Sequence, residues 1–307
     1  MNDKKNIALV LGSGGARGLA HIGAIEELEA RGYTITSIAG CSMGAMIAGM
    51  YAAGRLKEAK QWFLEVDKQK ILKMVDISLS LNSLVKGERV IKALEQVVPD
   101  RLIEELDIPC SIVSADLISA DEVVFRSGSL FEAIRASISI PLFFQPVQLG
   151  RQLLIDGGTL NPLPNNRVER HDGDLLVAVN ISGKDHLQTK QPEKSYIAKA
   201  AEAIEQTGIK LSPTLLNWKK KFEQMQEEEN KDLQDTVNYF SLVDRMSDMQ
   251  IQQNSNLMLQ LFQPDILATM PQYAFTTFDF DRADEIIAEG RRLMKEAIER
   301  YEQHTTH

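Results

Sequence analysis

The chain has 307 residues, 44% of them hydrophobic and 25% charged, a composition that suits one large globular α/β domain, or one domain plus an appendage. Its formal net charge is −9, which argues against nucleic acid as a main partner, because phosphate recognition needs a basic surface. No uncharged stretch is long enough for a spanning helix, and no signal-peptide core follows the N-terminal Met-Asn-Asp-Lys-Lys-Asn. A cytoplasmic protein is expected, with peripheral membrane contact through a local apolar or basic face. The two cysteines, Cys41 and Cys110, form no metal-type pair and read as reduced thiols.

The first apolar run, Ile7–Leu11, ends in Gly12-Ser13-Gly14-Gly15 and reads as a buried strand feeding a tight turn. Leu19, Ile22, Ile25 and Leu28 then mark a helix that closes near Gly32. A second unit follows: Ile35–Ala39 as a strand, Gly40–Gly44 as a turn, Ala45–Ala53 as a helix. Two successive strand-turn-helix units favour a largely parallel sheet with helices on its faces. Leu56–Val98 reads as mostly helical. Cys110–Ala115 and Glu122–Phe125 are β-like, and Leu130–Ala136 is helical. Val147–Leu149 and Gln152–Ile155 flank Gly150-Arg151 as a hairpin, and Leu175–Ile181 is another apolar strand.

Beyond that strand the character changes. Lys184–Glu193 is polar, and Ser195–Leu261 is helix-friendly, with a charge block at Lys219–Lys221 and Glu227–Glu229 that reads as a solvated face. Ile266–Met270 reads as a short returning strand. Asp281–Tyr301 is an amphipathic helix with Ala283, Ile286, Ile287, Leu293, Met294, Ala297 and Ile298 on one side.

Four short blocks carry chemistry. Gly40-Cys41-Ser42-Met43-Gly44 is a G-x-S-x-G between a strand and a helix. There the serine oxygen is exposed at a strand end, beside the free N–H groups of a helix start. Alone, the block also fits an ordinary turn with a capping serine. Gly12-Ser13-Gly14-Gly15-Ala16-Arg17-Gly18 can present backbone N–H groups to an oxyanion, one such donor lowering a barrier by about 3–4 kcal/mol. Gly14 and Gly15 are the expected donors, Ala16 is a further candidate, and Arg17 pins the loop or adds positive potential. The block satisfies neither the dinucleotide fingerprint nor the phosphate loop. Asp156-Gly157-Gly158 places an aspartate at a strand end with space cleared behind it, although Asp-Gly is also a common turn pair. Ala136-Ser137-Ile138-Ser139-Ile140-Pro141 alone shows only a helix ending before proline.

Together these blocks resemble the patatin-like phospholipase family, most closely its short bacterial members, over roughly Ile7 to Ile181. The resemblance implies a three-layer α/β/α fold with a mostly parallel central sheet, residues 7–183 forming the catalytic domain. Residues 184–307 would then be a mostly helical region packing on that core and serving as a lid. It further implies a Ser–Asp dyad of Ser42 and Asp156. The oxyanion hole would be built from Gly14, Gly15, Ala16 and Arg17. Gly12, Gly18, Gly40, Gly44, Gly157 and Gly158 would be the motif glycines, and no metal or cofactor is needed. The substrates it implies are phospholipids, lysophospholipids or fatty-acyl esters. The alternatives are a regulatory scaffold with residual esterase activity, and a thioesterase or transacylase on the same site. Nothing in the sequence settles the oligomeric state. His171 and His186 follow Asp156, so a Ser-Asp-His order is formally available, while His21 is expected to pack or cap near the glycine loop. Met225, Met246, Met249, Met258 and Met270, with Leu257, Leu259, Leu261 and Phe262, would line an acyl pocket or a lid, or else simply pack.

Overall fold

The computed structural model describes residues 5–66, 88–96, 98–141, 144–184 and 239–305. The 185–193 part of the expected polar linker, the charge block, Met225, His186, the 185–238 part of the expected lid region and the 67–87 part of the expected helical stretch lie outside the described residues. Two compact units divide the chain, one made of residues 1–185 and 251–307, the other of residues 186–250. The site lies in the first.

That unit is organised by one eight-stranded sheet. Its strands are β1 (Lys5–Leu11), β2 (Tyr33–Cys41), β3 (Cys110–Asp116), β4 (Glu122–Phe125), β5 (Val147–Leu149), β6 (Gln152–Asp156), β7 (Leu175–Gly183) and β8 (Ile266–Pro271). Hydrogen-bonded neighbours follow the path β5-β6-β3-β2-β1-β7-β8, with β4 paired to β3. The pairs β1–β2, β2–β3, β1–β7 and β7–β8 are parallel. The pairs β3–β4, β3–β6 and β5–β6 are antiparallel, so the sheet is mixed, with a parallel body and an antiparallel flank. The Ile266–Met270 run therefore joins the main sheet beside β7.

The described helices are α1 (Ala20–Ala30), α2 (Met43–Ala52), α3 (Leu56–Leu64), α4 (Glu88–Glu95), α5 (Leu130–Ser137), α6 (Tyr239–Leu261) and α7 (Ala283–Thr305). Strand β1 shows why helices cover both sheet faces. Ile7, Leu9 and Leu11 enter one buried cluster with residues of α1, α2 and α7. Ala8 and Val10 enter another, against which Met258 and Leu259 of α6 pack. A strand buried on both faces must be apolar at every position, as Ile7–Leu11 is. Met258 and Leu259 are thus packing residues, and Met270 is buried on β8, while Leu257, Leu261, Phe262, Met246 and Met249 are exposed. Helices α1 and α7 approach until a Cβ on Gly23 would lie 1.9 Å from the Ile287 carbonyl oxygen, so only glycine fits that crossing. Among the described residues no helix is long and apolar enough to cross a membrane.

Candidate active site

The site follows from how three strands share β3. Strand β2 pairs with Cys110–Val113, β6 with Ser114–Asp116, and β4 with Ile112–Ala115. Because β4 overlaps both others, it occupies the opposite edge, and β2 and β6 lie end to end along the same edge of β3. They run toward each other, β2 parallel and β6 antiparallel to β3. Cys41 stands opposite Val113 and Asp156 opposite Ser114, one step further along. The residue after Cys41 therefore meets Asp156.

Ser42 is that residue. It turns the chain from β2 into α2 with φ 57° and ψ −123°, a backbone conformation rare for a side chain other than glycine. The flanking glycines are steric requirements. A Cβ on Gly40 would lie 2.3 Å from the Gly44 carbonyl oxygen, and one on Gly44 would lie 2.2 Å from that of Leu11. The Ser42 N–H donates to Ser137 Oγ at 2.8 Å, and Ser137 Oγ donates to the Val113 carbonyl at 2.5 Å. The helix that carries Ser137 thereby locks the turn to β3.

Ser42 Oγ donates to Asp156 Oδ2 at 2.5 Å, and the Gly158 N–H donates to Oδ1 at 2.7 Å. The Asp156 N–H donates to the Ser139 carbonyl at 2.9 Å. Ser42 and Asp156 are 2% and 5% exposed, so the pair is nearly dry. Burial pushes the Asp156 carboxyl up to about 6, the two hydrogen bonds opposing it only in part. A carboxylate of that basicity, hydrogen-bonded to a hydroxyl, is chemically able to take the proton when the oxygen attacks. Cys41 is next to the serine, but burial and the Asp156 charge hold its thiol well above the ordinary range, which suppresses the thiolate.

The glycine-rich turn after β1 stands beside this pair. The Gly12 N–H donates to the Val179 carbonyl at 3.1 Å, and the Ser13 N–H to that of Pro162 at 2.8 Å. Gly15 adopts φ 59°, and a Cβ there would lie 2.4 Å from Thr277 Cγ2. Among the described residues the Gly14 and Gly15 N–H groups have no acceptor. The Ala16 N–H does: it donates to the Thr277 carbonyl at 2.9 Å. The Arg17 guanidinium, 4% exposed, donates through Nη1 to the carbonyls of Gln272 at 2.7 Å and Phe275 at 3.2 Å. Both residues thus tie the turn to the segment after β8. A Cβ on Gly18 would run into Met43, and one on Gly157 into the Val113 carbonyl.

The histidines take other roles. His21 is buried, with Nε2 2.8 Å from the Gly12 carbonyl oxygen, and burial lowers its pKa to about 4. His171 is exposed just ahead of β7, whose first residue pairs with Ile7 of β1, at the end of the strands opposite Ser42. Among the described residues no histidine touches Ser42 or Asp156.

Sequence reasoning placed Ser137 and Ser139 in the Ala136–Pro141 block without giving either a role, and it missed the 272–277 carbonyls. The Ala-Ser-x-x-x-Pro block was the one signal for the first two. Nothing local marks a carbonyl as a support.

The family model described as patatin-like phospholipase matches residues 9–166. A Mycobacterium bovis protein described as an uncharacterized NTE family protein is 32% identical over 96% of this chain and 92% of its own length. The mouse patatin-like phospholipase domain-containing protein 6 is 31% identical over 58% of this chain and 14% of its own. Among solved structures, VipD from Legionella pneumophila aligns over 96% of this chain and 67% of its own, with TM-score 0.43 and 15% identity.

Proposed function

The chain belongs to the patatin-like phospholipase family, whose members act on lipids, and from that premise we propose that it is a serine acyl-ester hydrolase working through Ser42 and Asp156. The substrates we assign are phospholipids, lysophospholipids or fatty-acyl esters. The single observation that carries this reading is the 2.5 Å hydrogen bond from Ser42 Oγ to a buried carboxylate whose pKa is pushed up to about 6.

In the first step Ser42 Oγ bonds to the ester carbonyl carbon while its proton passes to Asp156. The carbonyl oxygen becomes an oxyanion, stabilised by the Gly14 and Gly15 N–H groups, which have no competing acceptor among the described residues. Collapse of this intermediate breaks the bond to the alcohol, which leaves with the proton from Asp156. Water then attacks the acyl-serine, gives its proton to Asp156, and the acid departs as the serine recovers its hydrogen. Desolvation favours the dyad twice: it raises the basicity of Asp156, and it strengthens the field of the oxyanion donors.

Labelling with a fluorophosphonate tests the reading. Wild type is expected to react at Ser42, Asp156→Asn far more slowly, and Ser42→Ala not at all. Label on another serine, or equal rates in the Asp156 variant, overturns it. Parallel turnover of phospholipid, lysophospholipid, fatty-acyl ester and acyl-thioester then assigns the substrate class.

A further inference from the structure

The oxyanion turn is tied to its surroundings through the Arg17 guanidinium and the Ala16 N–H. Both of these contacts are made to residues 272–279, between β8 and α7 and outside the 9–166 stretch that the family model matches. One end of this support is fixed where the Gln272 N–H donates to the Gly183 carbonyl at 3.0 Å. The other end is organised by Asp279. Its Oδ2 accepts the Thr276 N–H at 2.9 Å, and its Oδ1 accepts the Thr276 hydroxyl. The Phe278 N–H adds a 3.4 Å bond to Thr276 Oγ1. Thr277 sits inside this closed loop, its carbonyl receiving the Ala16 N–H at 2.9 Å, its methyl against Gly15.

Asp279 directly precedes a helical turn, where an aspartate ordinarily caps the N–H groups that follow. Here its side chain makes no cap bond to that turn and bends back to Thr276 instead. It also lies 3.6 Å from the Arg282 guanidinium. The carboxylate therefore shapes the loop that holds Ala16.

We propose that Asp279 is a positioning residue for acyl transfer: through Thr276 and Thr277 it fixes the backbone from which the Gly14 and Gly15 N–H groups are aimed. The inference rests on the acyl-hydrolase reading above. Its physical basis is that a donor helps only when held at the place the oxyanion will occupy, and a misplacement of about 1 Å costs on the order of 100-fold in rate.

The test uses the full chain with Asp279→Ala, Asp279→Asn and Thr276→Val. Active sites are counted by fluorophosphonate on Ser42, and kcat and KM are measured per labelled site on a soluble fatty-acyl ester. A trifluoromethyl ketone, whose hydrate-like adduct places an oxyanion in the same hole, supplies an inhibition constant. Asp279→Ala is expected to lower kcat about 10- to 100-fold with KM within about 3-fold, and to weaken the ketone by the same factor as kcat/KM. Asp279→Asn keeps one acceptor oxygen and retains part of the rate. Thr276→Val falls in the same direction, and combined with Asp279→Ala it adds little, since both act on one loop. A residue that only stabilises the fold would lower the number of labelled sites and leave the rate per site alone. An unchanged rate per site, or a rise in KM alone, overturns the proposal. If Asp279→Ala is insoluble, Thr276→Val decides it. Wild type that neither labels at Ser42 nor hydrolyses esters overturns the hydrolase reading and this inference together. Active wild type with equally active variants overturns this inference alone.

Discussion

Ser137 Oγ stands between Ser42 and the sheet, accepting the Ser42 N–H at 2.8 Å while donating to the Val113 carbonyl at 2.5 Å. All three groups are buried. Ser137→Ala leaves a donor and an acceptor without partners, which costs about 1–3 kcal/mol per unsatisfied group. The expected result is a lower unfolding midpoint in denaturant together with a kcat reduced about 10-fold, because the turn that carries Ser42 loosens.

The φ of 57° at Ser42 makes a second prediction. Both Ser42→Ala and Ser42→Gly are expected to abolish the proposed hydrolysis, yet to differ in stability. Alanine keeps a Cβ in a conformation that disfavours it, and glycine does not. Ser42→Gly is expected to be the more stable by roughly 1 kcal/mol, with strain relief outweighing added chain entropy. Equal unfolding free energies would refute this.

Burial pushes the Asp156 carboxyl up to about 6, and under the proposed mechanism it must be ionised to accept the serine proton. With a soluble ester, kcat/KM is expected to rise with pH and to reach half its plateau near that value. The linkage to stability has the opposite sense. The folded carboxyl holds its proton above its ordinary value of 3.8, so stability from this group is complete below that pH and is lost as pH rises through about 6. Asp156→Asn removes that slope. At neutral pH it is expected to unfold at higher denaturant concentration than wild type while losing activity.

His21 acts in nearly the same window with reversed sign. Burial lowers its pKa from 6.5 to about 4, so the unfolded chain binds the extra proton first. Stability from this group is complete above the unfolded value and is lost as pH falls toward about 4. In an Asp156→Asn background, which silences the carboxylate, His21→Gln is expected to flatten the fall in stability between pH 6.5 and 4. Denaturant titrations across that range measure it. An unaltered slope would show that the ring does not carry it.

Much of the fold was legible because its signals are local. Ile7–Leu11 is apolar at every position, so it can only be buried on both faces, and it is the central strand β1. Gly40 and Gly44 mark a turn that no side chain larger than hydrogen would allow, and the sharp turn stands there. The expected hairpin of Val147–Leu149 and Gln152–Ile155 is the β5–β6 pair, set by its two-residue connection. What escaped was partnership at long range: a strand does not announce which edge it will take. The expected mostly parallel sheet acquires an antiparallel flank because β6 returns along β3.

By itself, the sequence determined the residue types, their order and their local turns: a serine after β2, an aspartate closing β6, a glycine-rich turn after β1. Only the tertiary structure decided that β2 and β6 end against each other on β3, joining Ser42 to Asp156 across 114 positions of chain. It also raised the Asp156 pKa, by removing water. And it paired the Ala16 N–H with the Thr277 carbonyl, while among the described residues the Gly14 and Gly15 N–H groups have no acceptor. Each of these depends on atoms brought together from distant segments, and neither spacing nor composition encodes a distance between them.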